Sequence, residues 1–113
     1  MKIIDFRFRP NTEAVLNGIQ NSKMFKGLCE TIDFSKMKAQ TVPEVVAEID
    51  RYNIEWAVIT GRDCETTYGS KSNNDSVIEF VKAFPNKFIG FVGLDPHKGM
   101  RAINELKARL GSG

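Results

Sequence analysis

The feature that most constrains the fold is the almost unbroken apolar run at residues 55–60. Such a run is typical of a strand buried on both faces of a parallel sheet, since helices cover both faces of these sheets. A helix is predicted just before it, because Thr41 and Glu44 have the spacing of a capping box and Asn53 suits a left-handed helix end. The apolar face of this helix comprises Val42, Val45, Val46, Ile49 and Tyr52. A helix that leads directly into a buried strand predicts an α/β fold.

A second strand is predicted at the start of the chain, where apolar and charged side chains alternate over residues 3–9 before Pro10. Successive side chains of a strand point to opposite faces. The face expected to pack against a hydrophobic layer carries Ile4, Phe6 and Phe8. The opposite face carries Asp5, Arg7 and Arg9, which need water, counter-charges or a ligand. A solvated edge strand would give the same pattern.

A third strand is predicted over residues 87–95, after a helix that Asn74 or Asp75 caps and Pro85 stops. A last helix follows and ends at Gly111. Its apolar stripe comprises Ala102, Ile103, Leu106 and Leu110. Strands that alternate with helices in this way predict three adjacent parallel strands joined by right-handed crossovers.

Residues 1–113 are expected to form one domain, because a chain of 113 residues buries a single modest core. Within it, residues 11–40 form a long excursion after the first strand. Residues 111–113 are predicted to be a flexible tail.

Composition argues against several classes of partner. The net charge is +2 and the basic residues are scattered, which does not favour binding to nucleic acid. No apolar stretch approaches the about 20 residues that span a membrane, and the N-terminus lacks the apolar segment of a signal peptide. Cys29 and Cys64 lack metal-ligand spacing, so free thiols in a cytoplasmic protein are expected, with a disulfide as the alternative.

Several segments together resemble the amidohydrolase-2 family. They are the opening Ile4-Asp5, the strand Trp56-Ala57-Val58-Ile59, the pair Asn74-Asp75 and the segment Phe84-Pro85-Asn86-Lys87-Phe88-Ile89-Gly90. Members of that family are metal-dependent hydrolases and decarboxylases built on a (β/α)8 barrel. The resemblance covers most of the chain. It implies an α/β fold of three parallel βα units, similar to the first part of a TIM barrel and incomplete at this length.

The first strand departs from that family at its metal site. Family members carry Asp-x-His-x-His there, and the two histidines bind the metal, whereas Arg7 and Arg9 occupy those positions here. A guanidinium has no lone pair to offer a metal. The resemblance therefore implies no metal and no other cofactor in this chain, while a complete relative binds a divalent metal such as zinc.

The length departs from the family as well. A complete barrel takes about 250 residues, and a sheet of three strands cannot close. We expect a fragment, a truncated product or a half-sized relative. Its open sheet edges are expected to pair with another copy, which predicts a homo-oligomer.

In a barrel, polar residues at the carboxyl ends of the strands form the site. The resemblance implies that Arg7, Arg9, Arg62 and Asp95 bind substrate and that Asp5 and His97 are catalytic. Arginines at such a rim suit a carboxylate or phosphate, which they bind through paired hydrogen bonds. Two alternatives stay open. Asp5 and Asp95 could simply neutralise the arginines, and His97, the only histidine, could be a solvated loop residue.

The function expected from this resemblance is the N-terminal portion of a hydrolase or decarboxylase that acts on a small carboxylated substrate and is inactive as an isolated chain. The alternative is a non-catalytic, self-associating α/β module with an arginine-rich rim that binds a small-molecule carboxylate or other anion. A receiver-like domain is a weaker third reading, because receivers need an acidic pocket and this rim is rich in arginine.

Overall fold

The computed structural model describes residues 1–111, and a parallel sheet of three strands in the order β1-β2-β3 lies at its centre. The strands are β1 (Ile3–Asp5), β2 (Ile54–Thr60) and β3 (Phe88–Phe91). Both pairings are parallel, so all three carboxyl ends lie at one edge of the sheet. This confirms the predicted α/β fold with three adjacent parallel strands.

Six α-helices accompany the sheet within residues 1–111. They are α1 (Glu13–Gln20), α2 (Lys26–Thr31), α3 (Val42–Arg51), α4 (Glu65–Tyr68), α5 (Asn74–Ala83) and α6 (Met100–Leu110). Short 3-10 turns lie at Lys23–Phe25, Phe34–Lys36 and Pro96–Lys98. None of the helices in this part of the chain combines the length and the apolar character needed to cross a membrane.

The helix before β2 forms as predicted. The Thr41 Oγ1 atom accepts a hydrogen bond of 3.3 Å from the backbone N–H of Glu44, which satisfies one free donor at the start of α3. Asn53 follows the helix with a φ of 62°, the left-handed conformation that allows the chain to turn into β2. The predicted cap and the predicted end of this helix are both confirmed.

Helices α3 and α5 cover one face of the sheet. The buried cluster there consists of Val45, Ile49, Ala57, Ile59, Val77, Phe80 and Phe88. The rings of Phe80 and Phe88 pack edge to face with centroids 5.1 Å apart, which joins α5 to β3. Gly90 lets α5 approach this closely, because a Cβ atom there would lie 2.7 Å from the Val77 side chain.

The other face of the sheet carries no helix within residues 1–111, and large apolar side chains on it are exposed. Ile4 is 59% exposed, Phe6 is 68% exposed and Phe91 is 49% exposed. The rings of Phe6 and Phe91 meet edge to face at 6.2 Å. Because β2 lies between β1 and β3, this ring pair spans the middle strand. We call Ile4, Phe6, Ile89 and Phe91 the uncovered face.

The predicted alternation of the first strand is wrong beyond Asp5. The chain turns at residues 6–7, where the Arg7 N–H donates to Asp5 Oδ1 over 3.0 Å. Phe8 then donates its N–H to the carbonyl of Val58 over 2.9 Å and packs against the buried cluster. This turn separates Phe8 from Ile4 and Phe6, which lie on the uncovered face instead of under the helices.

The second half also differs from the prediction in detail. The third strand ends at Phe91 instead of residue 95, and α5 begins at Asn74, so neither Asn74 nor Asp75 is the cap. The expected stripe of α6 is only partly buried, since Leu110 is 68% exposed. Gly111 ends α6 as predicted, and the rest of the predicted tail lies outside the described residues.

The excursion at residues 11–40 contains the helices α1 and α2. Its two ends are joined, because the Gln40 N–H donates to the carbonyl of Asn11 over 2.8 Å. Leu16 and Ile19 of α1 are buried, so this helix packs down against the domain. The excursion thereby brings α1 to the carboxyl edge of the sheet.

Candidate functional site

A cleft of about 270 Å³ opens at the carboxyl end of β2, between α1 and α5. Its apolar lining consists of Phe8, Pro10, Ala14, Val15, Ile19, Ile59, Val77 and Phe80. Its polar lining consists of Arg7, Arg9, Thr60, Arg62, Asn73 and Ser76. The cleft therefore lies on the helix-covered side of the sheet. The expectation that Arg7 and Arg9 line the inside of a barrel wall is wrong, because the turn after β1 brings them to this side.

Two glycines fix the backbone beneath the cleft. The chain leaves β2 through Gly61 and passes Gly93 so closely that a Cβ atom on Gly93 would lie 2.4 Å from the Gly61 carbonyl. The buried Asn74 side chain holds this crossing: Oδ1 accepts from the Gly93 N–H and Nδ2 donates to the Gly93 carbonyl, both over 2.9 Å. We call Gly61, Gly93 and Asn74 the glycine clamp. It fixes the point from which Arg62 extends.

Asn73 ties the next residue of that loop to α5. Its Oδ1 accepts a hydrogen bond from the Arg62 N–H, and its own N–H donates to the Arg62 carbonyl over 3.1 Å. The Asn73 side chain is therefore used to hold Arg62 instead of capping α5. The first turn of α5 lines the cleft through Ser76 and Val77, and the partial positive charge of a helix start favours an anion nearby.

Arg62 is held in the cleft with one of its side-chain donors buried and unsatisfied. Its guanidinium carbon lies 4.8 Å from the centre of the Phe25 ring, a cation–π stack that orients the group. The Nε atom is buried and has no hydrogen-bond partner among residues 1–111. Burial lowers the pKa of Arg62, and the positive charge of Arg9 lowers it further, while Cys64 opposes the shift. An arginine stays charged in proteins, so the buried Nε–H of Arg62 is a charged donor that lacks an acceptor.

Arg7 and Arg9 are exposed side chains on the same cleft. Among residues 1–111, no carboxylate lies within 4.0 Å of either guanidinium, although ion pairs form elsewhere. The alternative in which Asp5 and Asp95 neutralise the arginines required such pairs. Asp5 is instead used by the turn after β1, where it accepts from the backbone of Arg7.

Asp95 and His97 do not reach the cleft. Asp95 is 2% exposed, and its two oxygens accept from the N–H groups of Thr66 and His97 over 2.9 and 3.0 Å. These bonds, those from Thr66 first, lower the pKa of the Asp95 carboxyl. His97 is exposed on the 3-10 turn after it. Asp95 therefore joins α4 to the 3-10 turn before α6, and it does not line the cleft with Arg7, Arg9 and Arg62.

A buried ion pair lies close to Asp95. The Lys98 Nζ atom lies 2.8 Å from Asp63 Oδ2, and both side chains are largely buried. The hydrogen bond to Asp63 raises the pKa of Lys98. This pair joins the loop after β2 to the 3-10 turn before α6. Because Asp63 pairs with Lys98, it does not compensate the arginines of the cleft.

Sequence reasoning placed Arg7, Arg9 and Arg62 together, and the structure brings them to one cleft. It missed Asn73, Ser76 and Phe25, because these residues lie far from the arginines in sequence. The polar residues around the start of α5 were the available signal for the first two. Nothing in the residues around Phe25 indicates that its ring meets a guanidinium.

Metal-ligating side chains are not grouped in the part of the chain that the structure describes: no three His, Cys, Asp or Glu residues come together there. Cys29 and Cys64 are free, half-buried thiols, as predicted. Cys29 donates to the carbonyl of Ile19 over 3.7 Å, a contact within the excursion. No protein-family model, curated protein or solved structure matches this chain, so its resemblance to the amidohydrolase-2 family stays a prediction.

Proposed function

We propose that the chain is a binding module whose cleft holds a small carboxylate or a similar small anion. The observation that carries this proposal is the set of three arginines, Arg7, Arg9 and Arg62, which line one cleft without an ion-pair partner among the described residues. Like charges held close together cost free energy unless a counter-charge compensates them. An anion in the cleft supplies that counter-charge.

The chemistry of the cleft fits an anionic group on a small body. Guanidinium groups bind carboxylates through two parallel hydrogen bonds. The Arg62 fork is already oriented by Phe25, so less side-chain freedom is lost when the ligand binds. Thr60 and Ser76 add hydroxyl groups beside it. A cleft of about 270 Å³ lies just under the usual range for small-molecule sites, which suits a ligand of roughly benzoate size.

The proposal predicts that benzoate binds and that Arg62→Gln weakens it at least tenfold. A hydrogen bond to a charged group contributes about 1.5–3 kcal/mol, and 1.4 kcal/mol is a factor of about ten. Isothermal titration calorimetry at low salt measures both dissociation constants. Arg101→Gln is the matched control, since Arg101 is an exposed arginine on α6 away from the cleft. Equal affinity for benzoate in wild type and Arg62→Gln would refute the proposal.

We further propose that two copies associate through the uncovered face. Parallel sheets are normally covered on both faces, whereas Ile4, Phe6, Ile89 and Phe91 are exposed here. The four side chains that define this face are uncharged, so they do not repel the same side chains of a second copy. In the described residues β1 and β3 are both edge strands, which offer further backbone donors and acceptors to a second copy.

Sedimentation velocity tests this association. We expect wild type to dimerise with rising concentration and Phe6→Lys to remain monomeric, because the lysine would bury a charge in the contact. Tyr68→Lys is the matched control, since Tyr68 is an exposed aromatic residue of α4 outside the uncovered face. A wild-type chain that stays monomeric up to about millimolar concentration, or a Phe6→Lys variant that still dimerises, would contradict the proposal.

A hydrolase or decarboxylase of a carboxylated substrate is the second candidate function. The position of the cleft at the carboxyl edge of the sheet, next to the ends of β1 and β2, favours it, because barrel enzymes place their sites at that edge. Arg7 and Arg9 cannot act as metal ligands, so we expect this chain alone to show no zinc- or manganese-dependent hydrolysis of esters, lactones or amides. Turnover that a chelator abolishes would contradict that expectation and favour the hydrolase over the binding module.

A further inference from the structure

The charged residues that line the cleft also indicate how many negative charges its ligand carries. Three arginines line the cleft, and no aspartate or glutamate is among its lining residues. We infer that the cleft selects a dianion on a small apolar body, such as a dicarboxylate or a phosphate monoester, over a monoanion of the same size. This inference rests on the proposed anion site and narrows the class of ligand.

The arginines differ in depth, which gives two separate places for negative charge. Arg62 is half-buried, with its Nε atom enclosed and its guanidinium stacked on Phe25. Arg7 and Arg9 are exposed at the mouth. A carboxylate has two oxygens, and one guanidinium fork uses both of them. A monoanion bound to Arg62 therefore leaves Arg7 and Arg9 uncompensated, and a second anionic group can reach them.

The rest of the lining is largely apolar. Phe8, Val15, Ile19, Ile59, Val77 and Phe80 contribute to it. This combination of apolar and arginine side chains suits a ligand with an aromatic or branched aliphatic core and two anionic groups. One group would bind Arg62, and the other would bind Arg7 or Arg9 at the mouth. A strongly hydrated sugar or polyol body would lose water there without gaining hydrogen bonds.

Three probes of similar size test the inference by calorimetry at pH 7.5 and low salt: benzoate, isophthalate and phenyl phosphate. We expect both dianions to bind at least about tenfold more tightly than benzoate, since a second charge facing an uncompensated arginine contributes on the order of 1.4 kcal/mol. The phosphate monoester has its second pKa near 6. Lowering the pH to 5 should therefore reduce its advantage over benzoate while the arginines stay charged.

The double variant Arg7→Gln/Arg9→Gln separates the two places. Both side chains are exposed, so the substitutions spare the packed core. The variant should lose the preference for dianions, so that isophthalate and phenyl phosphate bind it no more than about threefold more tightly than benzoate does, whereas Arg101→Gln should keep the preference. A tenfold advantage for isophthalate alone or for phenyl phosphate alone supports the inference and identifies the source of the second charge.

The outcomes that overturn the inference differ from those that overturn the proposed function. If all three probes bind equally, or if the double variant keeps the preference for dianions, the inference is wrong while the anion site stands. If none of the three probes binds, the anion site itself is wrong and the inference falls with it.

Discussion

Replacing Gly93 with alanine is expected to destabilise the domain by about 3 kcal/mol or more, the upper part of the range for overpacked sites. The added Cβ atom would lie 2.4 Å from the carbonyl carbon and oxygen of Gly61 and 2.4 Å from the backbone nitrogen of Arg62. These are backbone atoms of the two residues that directly follow β2, so they cannot move aside as a flexible side chain would. A domain of this size has about 5–15 kcal/mol of total stability, so the loss is a large fraction of it.

Urea unfolding followed by circular dichroism measures this effect, with Gly18→Ala as the matched control. Gly18 lies within α1, and a Cβ atom there meets no atom within 4 Å. Alanine in an exposed helix interior is favoured over glycine by about 0.5–1 kcal/mol, so the control should be neutral or stabilised. A Gly93→Ala variant as stable as wild type would show that the backbone at Gly93 does not lie this close to the backbone of Gly61 and Arg62.

Replacing Asn74 with aspartate is expected to cost about 3 kcal/mol, although the two side chains have nearly the same shape. Asn74 is 1% exposed, and its Nδ2 donates to the Gly93 carbonyl over 2.9 Å and to Glu105 Oε1 over 3.3 Å. The aspartate would place an acceptor oxygen against two other acceptors and bury a charge beside a carboxylate. Burying an unpaired donor, acceptor or charge costs at least about 1–3 kcal/mol.

The same unfolding experiment at two pH values tests the mechanism of this effect. The buried aspartate of Asn74→Asp should have a raised pKa, so its cost is full near neutral pH and falls as the pH drops and the group takes up a proton. Asn104→Asp on the exposed surface of α6 is the control and should change stability by less than about 0.5 kcal/mol. A small loss at pH 7 for Asn74→Asp would mean that the glycine clamp does not depend on the amide.

Glu105 shows how the clamp connects to the last helix. Hydrogen bonds from Arg109 first and from Asn74 second lower the pKa of the Glu105 carboxyl. Arg109 also pairs with Asp75 at the start of α5. The contacts of the clamp thereby join α5, the loop after β3 and α6, and they hold the loop from which Arg62 enters the cleft.

The central βαβ unit was predictable because its local signals agree with each other. Thr41 is a good cap, Asn53 tolerates a positive φ, and the apolar run at 55–60 has no competing pattern. The first strand was not predictable by alternation alone. Asp5 accepts from the N–H of Arg7 two residues later, a local bond that competes with continued strand pairing and starts a turn. The turn moves Arg7, Phe8 and Arg9 away from the positions that a continued strand would give them.

The arginines of the site and the edge of the sheet where they lie were predictable, whereas the side of the sheet was not. Arginines after β1 and β2 suggested an anion site at the carboxyl edge, and this edge is where the cleft lies. The side of the sheet was wrong because the turn after Asp5 was missed. The contribution of α1 was hidden for another reason: the Gln40–Asn11 contact closes an excursion of residues distant in sequence, and no local pattern encodes it.

Anion binding at the cleft of the three arginines can be tested directly by following the Nε–H of Arg62 in a 1H–15N NMR spectrum during titration with benzoate. Its buried position should protect this group from exchange with water and give a resolved signal. Binding at the cleft predicts a saturable shift of the Arg62 signal with no shift for Arg101. Saturable binding that leaves Arg62 unmoved, or equal shifts of both arginines, would contradict the account.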